Sequence, residues 1–171
     1  MTPGSDGRRP TVTVIGGSGF LGSHVADQLS ATGCRVRIFD RVESPWRQPD
    51  QQMIVGDLLD YGRLNEAIAG SDTVFNFAAL ADLNQARDQP IETVQVNVLG
   101  NVHVLEACRA NGVQRFMYAS TVYVYSREGS FYRCSKQAAE HYVEEYWREY
   151  DLQYTILRYG SLYGPDRKSV V

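Results

Sequence analysis

Two rhythms of apolar and polar positions take turns along this chain. Thr11–Ile15 is a short β-branched run, and glycines follow it at once. From Phe20 to Thr32, Leu21, Val25, Ala26 and Leu29 recur at helical spacing, and Gly33 stops the pattern. Arg35–Asp40 predicts a second strand. Residues 41–52 form a polar loop broken by Pro45 and Pro49. Met53–Val55 predicts a third strand, Tyr61–Ala69 a short helix, and Thr73–Phe77 a fourth strand. A long helix is expected from Ile91 to Asn111, a fifth strand at Gln114–Ala119, a second long helix at Phe131–Tyr150 and a sixth strand at Gln153–Arg158. Apolar strands alternating with helices imply an α/β fold: a parallel, doubly wound sheet with helices on both faces.

The first strand runs into Gly16-Gly-Ser-Gly-Phe-Leu-Gly22, and a helix opens on Phe20 and Leu21. Glycines at this spacing permit a tight turn, close approach of backbone to a pyrophosphate, and close packing of helix on strand. The helix N-terminus adds free N–H groups and partial positive charge. Asp40 ends the second strand, where an acid can bond the ribose hydroxyls of a dinucleotide. Between strand and helix, this pattern predicts a Rossmann domain. Asp57 follows the third strand, beside Leu58, and is equally readable as an adenine contact or as a turn aspartate.

Composition narrows the class. The chain has 171 residues, 43% of them hydrophobic and 22% charged, which suits one globular domain. A net charge of -3 points to neither nucleic acid nor an anionic membrane surface. The apolar runs are too short to span a bilayer. Residues 1–10 are polar and read as a disordered tail rather than a signal peptide, so a cytoplasmic protein is expected. Cys34, Cys108 and Cys134 read as buried small hydrophobes, and His24, His103 and His141 share no metal-ligand spacing.

The chain has two lysines, Lys136 and Lys168, and Tyr132 lies four residues before the first. That spacing puts both side chains on one helix face. A free phenol, with a pKa near ~10, is a poor base at neutral pH. A neighbouring ammonium favours the phenolate, and Tyr132 could then take or give a proton at a substrate hydroxyl or carbonyl. Ser120-Thr121 ends the fifth strand. The glycine loop, Asp40, Ala78-Ala79 and Ser120-Thr121 should all meet at the carboxyl edge of the sheet, where such folds bind ligands.

These motifs resemble those of the extended short-chain dehydrogenases/reductases, the NAD-dependent nucleotide-sugar epimerases and their relatives. The resemblance runs from Thr11 to about Pro165, through the glycine loop, Gly56-Asp57, Phe77-Ala-Ala79, Asn97 to Asn101, Tyr118-Ala-Ser-Thr121, Val124-Tyr125, Tyr132-x-x-x-Lys136, Leu157-Arg158 and Tyr163-Gly-Pro165. It implies that Tyr132 is the acid/base, that Lys136 binds the nicotinamide ribose and tunes the tyrosine, that Thr121 orients the substrate and that Asn97 lies near the active site. It implies NAD as cofactor through Gly16, Gly19, Phe20, Leu21, Gly22, Asp40, Asp57, Leu58, Ala78, Ala79, Tyr132 and Lys136, with no metal. Asp40 would repel the 2′-phosphate of NADP.

Three departures shape the functional expectation. Val122-Tyr123 stands where the family's dehydratases carry Asp-Glu, which argues against 4,6-dehydration. Only six residues separate Tyr125 from Tyr132, where the family has a longer, proline-containing segment. Ser161 replaces the usual asparagine of the sixth-strand motif. The chain also stops where family members continue into a C-terminal substrate domain, and Ser169–Val171 reads as an opening helical turn. Residues 11–171 are thus expected to be an NAD-binding domain without that second domain. The resemblance implies epimerase-like redox chemistry on a nucleotide sugar, with a homodimer through the two long helices. The alternative is an NAD-binding module with a regulatory or scaffold role.

Overall fold

The computed structural model describes residues 8–164. The reading of residues 1–10 as a disordered tail falls outside them over residues 1–7, as does that of a helical turn at Ser169–Val171. Where the tail meets the domain it is pinned. Arg8 pairs with Asp72 at 2.5 Å, and the Pro10 carbonyl accepts from the Arg35 amide at 2.8 Å.

The strands are β1 (Thr11–Ile15), β2 (Arg35–Asp40), β3 (Gln52–Val55), β4 (Thr73–Asn76), β5 (Arg115–Thr121) and β6 (Tyr154–Tyr159). They form one parallel sheet in the order β3-β2-β1-β4-β5-β6. The order reverses beside β1, which leaves a crevice at the carboxyl ends of β1 and β4. The helices are α1 (Phe20–Ala31), α2 (Tyr61–Ile68), α3 (Leu83–Asp88), α4 (Pro90–Val94), α5 (Gly100–Ala110) and α6 (Ser130–Tyr150).

Helices cover both faces, as expected. On one face Ala26 of α1 packs on Val12, Val14, Val36 and Ile38. On the other, Leu64 of α2, Val104 and Leu105 of α5, and Ala139 and Val143 of α6 enclose Phe39, Phe116 and Tyr118. Burying each large apolar side chain contributes about 1.5–3 kcal/mol.

The expected long helix over Ile91–Asn111 is helical throughout but not uniform. A π turn, Gln95–Leu99, joins α4 to α5. The extra residue in that turn rotates the side chains of α4 about the helix axis relative to those of α5. Val94 is therefore 56% exposed while Leu105 is fully buried, and Val94, Val98, Val102 and Leu105 do not face the sheet as one line. On α6, Tyr146 is buried but Tyr142 is exposed. Cys34 and Cys108 are buried as expected, whereas Cys134 is exposed on the first turns of α6. Two short elements escaped the periodicity: α3, capped by Asp82 on the Gln85 amide at 2.7 Å, and a 3₁₀ turn at Val122–Tyr125.

The glycine loop holds α1 to the sheet by close approach. A Cβ on Gly22 would meet the Gly16 carbonyl oxygen at 2.2 Å. A Cβ on Gly16, whose φ is +75°, would meet the Ala78 amide nitrogen at 2.5 Å. A Cβ on Gly19 would come no nearer than 3.4 Å to any atom. Gly22→Ala should therefore cost about 1–3 kcal/mol or more of stability, and Gly19→Ala less than about 1 kcal/mol. Urea unfolding of the two variants checks the order. Equal midpoints would show that the loop is looser than this packing.

Candidate active site

The glycine loop and Asp40 are joined directly. The Ser18 amide donates to Asp40 Oδ2 at 3.0 Å, and the Ser18 hydroxyl donates to the Val42 carbonyl at 2.8 Å. Asp40 Oδ1 accepts from the Val42 amide at 3.3 Å. One carboxylate thus sets the loop against the end of β2 and stands at the crevice. Gly19 is the N-cap of α1, and no side chain caps it. The first turn at Phe20, Leu21 and Gly22 lies behind an open Cα surface that a Cβ would begin to fill. A helix N-terminus, an open glycine and a fixed acid fit a dinucleotide's pyrophosphate and ribose.

Tyr132 and Lys136 share the buried face of α6, as their spacing predicts. Lys136 is 2% exposed. Its Nζ donates to the Ala119 carbonyl of β5 at 2.7 Å, and it lies 4.7 Å from the Tyr118 ring centroid and 5.8 Å from that of Tyr132. Burial pushes its pKa down to about 7, while Glu140 pulls the other way. The Tyr132 phenol differs from the simple expectation of an ammonium-lowered group. Burial, and secondly the neighbouring Tyr123, push it above its ordinary value of 10.0. Desolvation penalises the phenolate and the ammonium alike, so each starts nearer its neutral form.

Thr121 ends β5, two residues beyond the Ala119 carbonyl that holds Lys136, and is 4% exposed. Its Oγ1 accepts from the Tyr123 amide at 3.3 Å, which leaves its hydroxyl proton to donate. The short connection to Tyr132 closes through Gly129 at φ +92° and Ser130 at φ +47°. The second is an uncommon conformation for a residue with a side chain.

The remaining predicted residues divide. Asn97 is buried inside the π turn, and its side chain is fully engaged. Oδ1 accepts from the Leu80 amide at 2.7 Å, while Nδ2 donates to the Leu80 carbonyl at 3.0 Å and to Ser135 Oγ at 2.9 Å. Ser135 Oγ in turn donates to the Tyr132 carbonyl at 2.8 Å. Asn97 therefore ties the segment after β4 to the turn of α6 that carries Tyr132. Ala78 and Ala79 follow β4 at the crevice, and the Ala78 amide donates to Asn76 Oδ1 at 3.1 Å. Asp57 Oδ1 accepts from the Leu59 amide at 2.8 Å, so it does close a turn. Leu58 is buried, and a Cβ on Gly100 would strike it at 2.4 Å.

Sequence reasoning missed three contributors: the Tyr118 ring under Lys136, Ser135 as the link from Asn97, and Glu140. Glu140 lies one turn beyond Lys136 and is 6% exposed. It accepts from Ser120 Oγ at 2.5 Å and from Arg158 Nη2 at 2.6 Å. The Lys136–Glu140 spacing was visible as i,i+4. The Arg158 partner on β6 was not.

A family model described as the NAD dependent epimerase/dehydratase family matches residues 12–170. A putative UDP-glucose 4-epimerase of Methanocaldococcus jannaschii is 28% identical over 90% of this chain and 56% of its own length. A sterol-4-alpha-carboxylate 3-dehydrogenase of Bos taurus is 37% identical over 66% of this chain and 30% of its own length. Among solved structures, a UDP-glucose 4-epimerase of Thermus thermophilus in complex with NAD superposes with a TM-score of 0.83 at 31% identity, over 92% of this chain and 57% of that one. A UDP-glucose 4-epimerase of Thermotoga maritima with UDP-glucose gives a TM-score of 0.88 at 26% identity, over 94% and 59%. The chain spans about half the length of the epimerases it matches. With its sheet order, glycine loop and Tyr-Lys pair in place, the chain belongs to the NAD dependent epimerase/dehydratase family.

Proposed function

We propose that this chain binds NAD at the carboxyl edge of its sheet and supports epimerase-like redox chemistry at a secondary hydroxyl of a nucleotide sugar. The observation that carries the reading is the buried Lys136, held by the Ala119 carbonyl of β5 and 5.8 Å from the Tyr132 ring centroid, with Thr121 two residues further along the same strand. When bound, NAD supplies the hydride acceptor and donor. Gly16, Gly19 and Gly22, with the first turn at Phe20 and Leu21, receive the pyrophosphate. Asp40 takes the adenine ribose, Asp57, Leu58, Ala78 and Ala79 border the cofactor, and Lys136 takes the nicotinamide ribose.

Thr121 donates its hydroxyl proton to the reacting oxygen and orients it. Tyr132 exchanges the proton at that oxygen. In the cofactor-free chain its phenol is neutral at physiological pH and is set to act as an acid on a carbonyl. To act as a base it needs a charged Lys136, whose own charge changes near neutrality. Asn97 is then a positioning residue for Tyr132 through Ser135, rather than a group that touches substrate.

The short segment between Tyr125 and Tyr132 favours a second reading, a domain that holds NAD for a regulatory or scaffold role without turnover. A cytoplasmic location belongs to either reading; no helix among the described residues is long and apolar enough to cross a membrane. The exposed Val94 and Leu99 and, on α6, Tyr142 and Trp147 support a homodimer through the long helices.

Three outcomes test the reading. Calorimetric titration should show tighter binding of NAD than of NADP, and Asp40→Ala should narrow the difference. Equal or tighter NADP binding would falsify the role of Asp40. Tyr132→Phe should lower turnover of UDP- or dTDP-sugars by roughly 10²–10⁴ while NAD affinity changes little. Near-normal turnover removes Tyr132 from the mechanism, and NAD binding with no turnover in the unaltered chain favours the binding module.

The third concerns stability and pH. Below about pH 7, Lys136 is charged both folded and unfolded. Between about 7 and its ordinary value of 10.5, the unfolded chain keeps a proton that the folded chain has lost. Stability of the cofactor-free chain should therefore rise with pH across that window. Lys136→Met should flatten the rise, which urea midpoints on either side of about pH 8 would read. An unchanged slope in Lys136→Met would show that Lys136 does not titrate there.

A further inference from the structure

Beside the Tyr132–Lys136 pair lies an ion pair between the buried Glu140 and the partly exposed Arg158 that the proposed chemistry does not use. Glu140 sits one helical turn from Lys136 on the same face of α6. With an ammonium one turn away and almost no water, a carboxylate would be expected to pair with it. It does not. The ion pairs of the described residues include Glu140 with Arg158 and none on Lys136.

The reason is that Glu140 is fully engaged from β5 and β6. Oε1 accepts from Ser120 Oγ at 2.5 Å and from Arg158 Nε at 3.0 Å, and Oε2 accepts from Arg158 Nη2 at 2.6 Å. This is the two-pronged guanidinium–carboxylate geometry, the strongest and most directional form of such a pair. The guanidinium is itself fixed: Nη1 donates to the Tyr125 hydroxyl, and its carbon lies 4.9 Å from the Tyr125 ring centroid. Lys136 is left with the Ala119 carbonyl on one side and the Tyr118 ring on another.

We propose that Glu140 and Arg158 are positioning residues for Lys136, and that their fork withholds the carboxylate so that the ammonium stays on Ala119 and Tyr118 with its charge free to act toward Tyr132. This deepens the proposed function and rests on that reading for its catalytic meaning. The groups facing Lys136 are Tyr118 from β5 and Tyr132 and Glu140 from α6, with Arg158 of β6 acting through Glu140. Glu140 is the one charge that raises the Lys136 pKa against burial. Arg158 limits that effect by competing for the same oxygens. Removing either partner therefore moves Lys136 in opposite directions. Without Arg158, Glu140 is an unpaired buried carboxylate, and Lys136 is the cation within reach. The ammonium then leaves Ala119, pairs directly and is held more strongly charged. Without Glu140, nothing opposes desolvation, and Lys136 becomes neutral at lower pH.

The chain's two lysines make the test direct. With ¹³C-labelled lysine, the side-chain Cε signals of Lys136 and Lys168 are resolved by NMR and assigned with Lys168→Arg. The Lys136 signal is titrated in the 171-residue chain and in Glu140→Gln and Arg158→Gln. Circular dichroism checks that each variant folds. The unaltered chain should titrate near neutrality. Glu140→Gln should shift the midpoint down, and Arg158→Gln should shift it up, each by about one unit or more. Ser120→Ala, a milder change that loosens Glu140 without removing a charge, should shift it up by less, and it keeps the test decisive if a charge variant fails to fold. Unchanged midpoints, or shifts of one sign throughout, would overturn the proposal. The readout needs neither NAD nor turnover, so it can fail while the proposed function stands, and the reverse.

Discussion

The fold and the site both depend on how closely α1 approaches the end of β1. That approach is limited by atoms that are absent. Gly22 lies against the Gly16 carbonyl, and Gly16 lies against the Ala78 amide, at distances no Cβ allows. The contact brings three chain segments to one point: the loop after β1, the end of β2 through Ser18 and Asp40, and the start of the segment after β4. The crevice is a consequence of this packing. So is the opening above Gly19, the one glycine of the three motif positions whose missing side chain leaves room rather than contact.

From that point inward, desolvation sets the chemistry. Tyr132 and Lys136 are brought close by helical spacing, but their protonation is governed by burial more than by each other. Burial disfavours charge on both, raising the phenol and lowering the amine. The cofactor-free pair therefore rests with the proton on the phenol, and a charged Lys136 is what opens the basic form of Tyr132. The dry wall that does this is built by Tyr118 and Ala119 of β5, which also supply the ring and carbonyl that hold the amine.

The π turn is the other local irregularity with long reach. It turns the Asn97 side chain to Leu80 and Ser135, which fixes the backbone at Tyr132. It also breaks the apolar line that a uniform helix would have run from Val94 to Leu105. One inserted residue thus supplies a positioning contact and leaves Val94 outside the core.

The sequence by itself determined the α/β class, six strands close to their observed bounds, the glycine loop between β1 and α1, and the shared helix face of Tyr132 and Lys136. Each rests on short-range physics: period two or 3.6 in apolar positions, the missing Cβ of glycine, and residues four apart meeting on a helix. Only the tertiary structure decided the rest. The exposure of Cys134, Val94 and Tyr142 depends on which face of each helix the sheet covers. The engagement of Asn97 depends on a π turn that no periodicity marks. The raised phenol and lowered amine depend on how much water the packed sheet excludes. The Glu140–Arg158 fork joins residues 18 apart on different elements. In sequence each is a charged residue with several available partners, and the packing of α6 on β5 and β6 chooses among them.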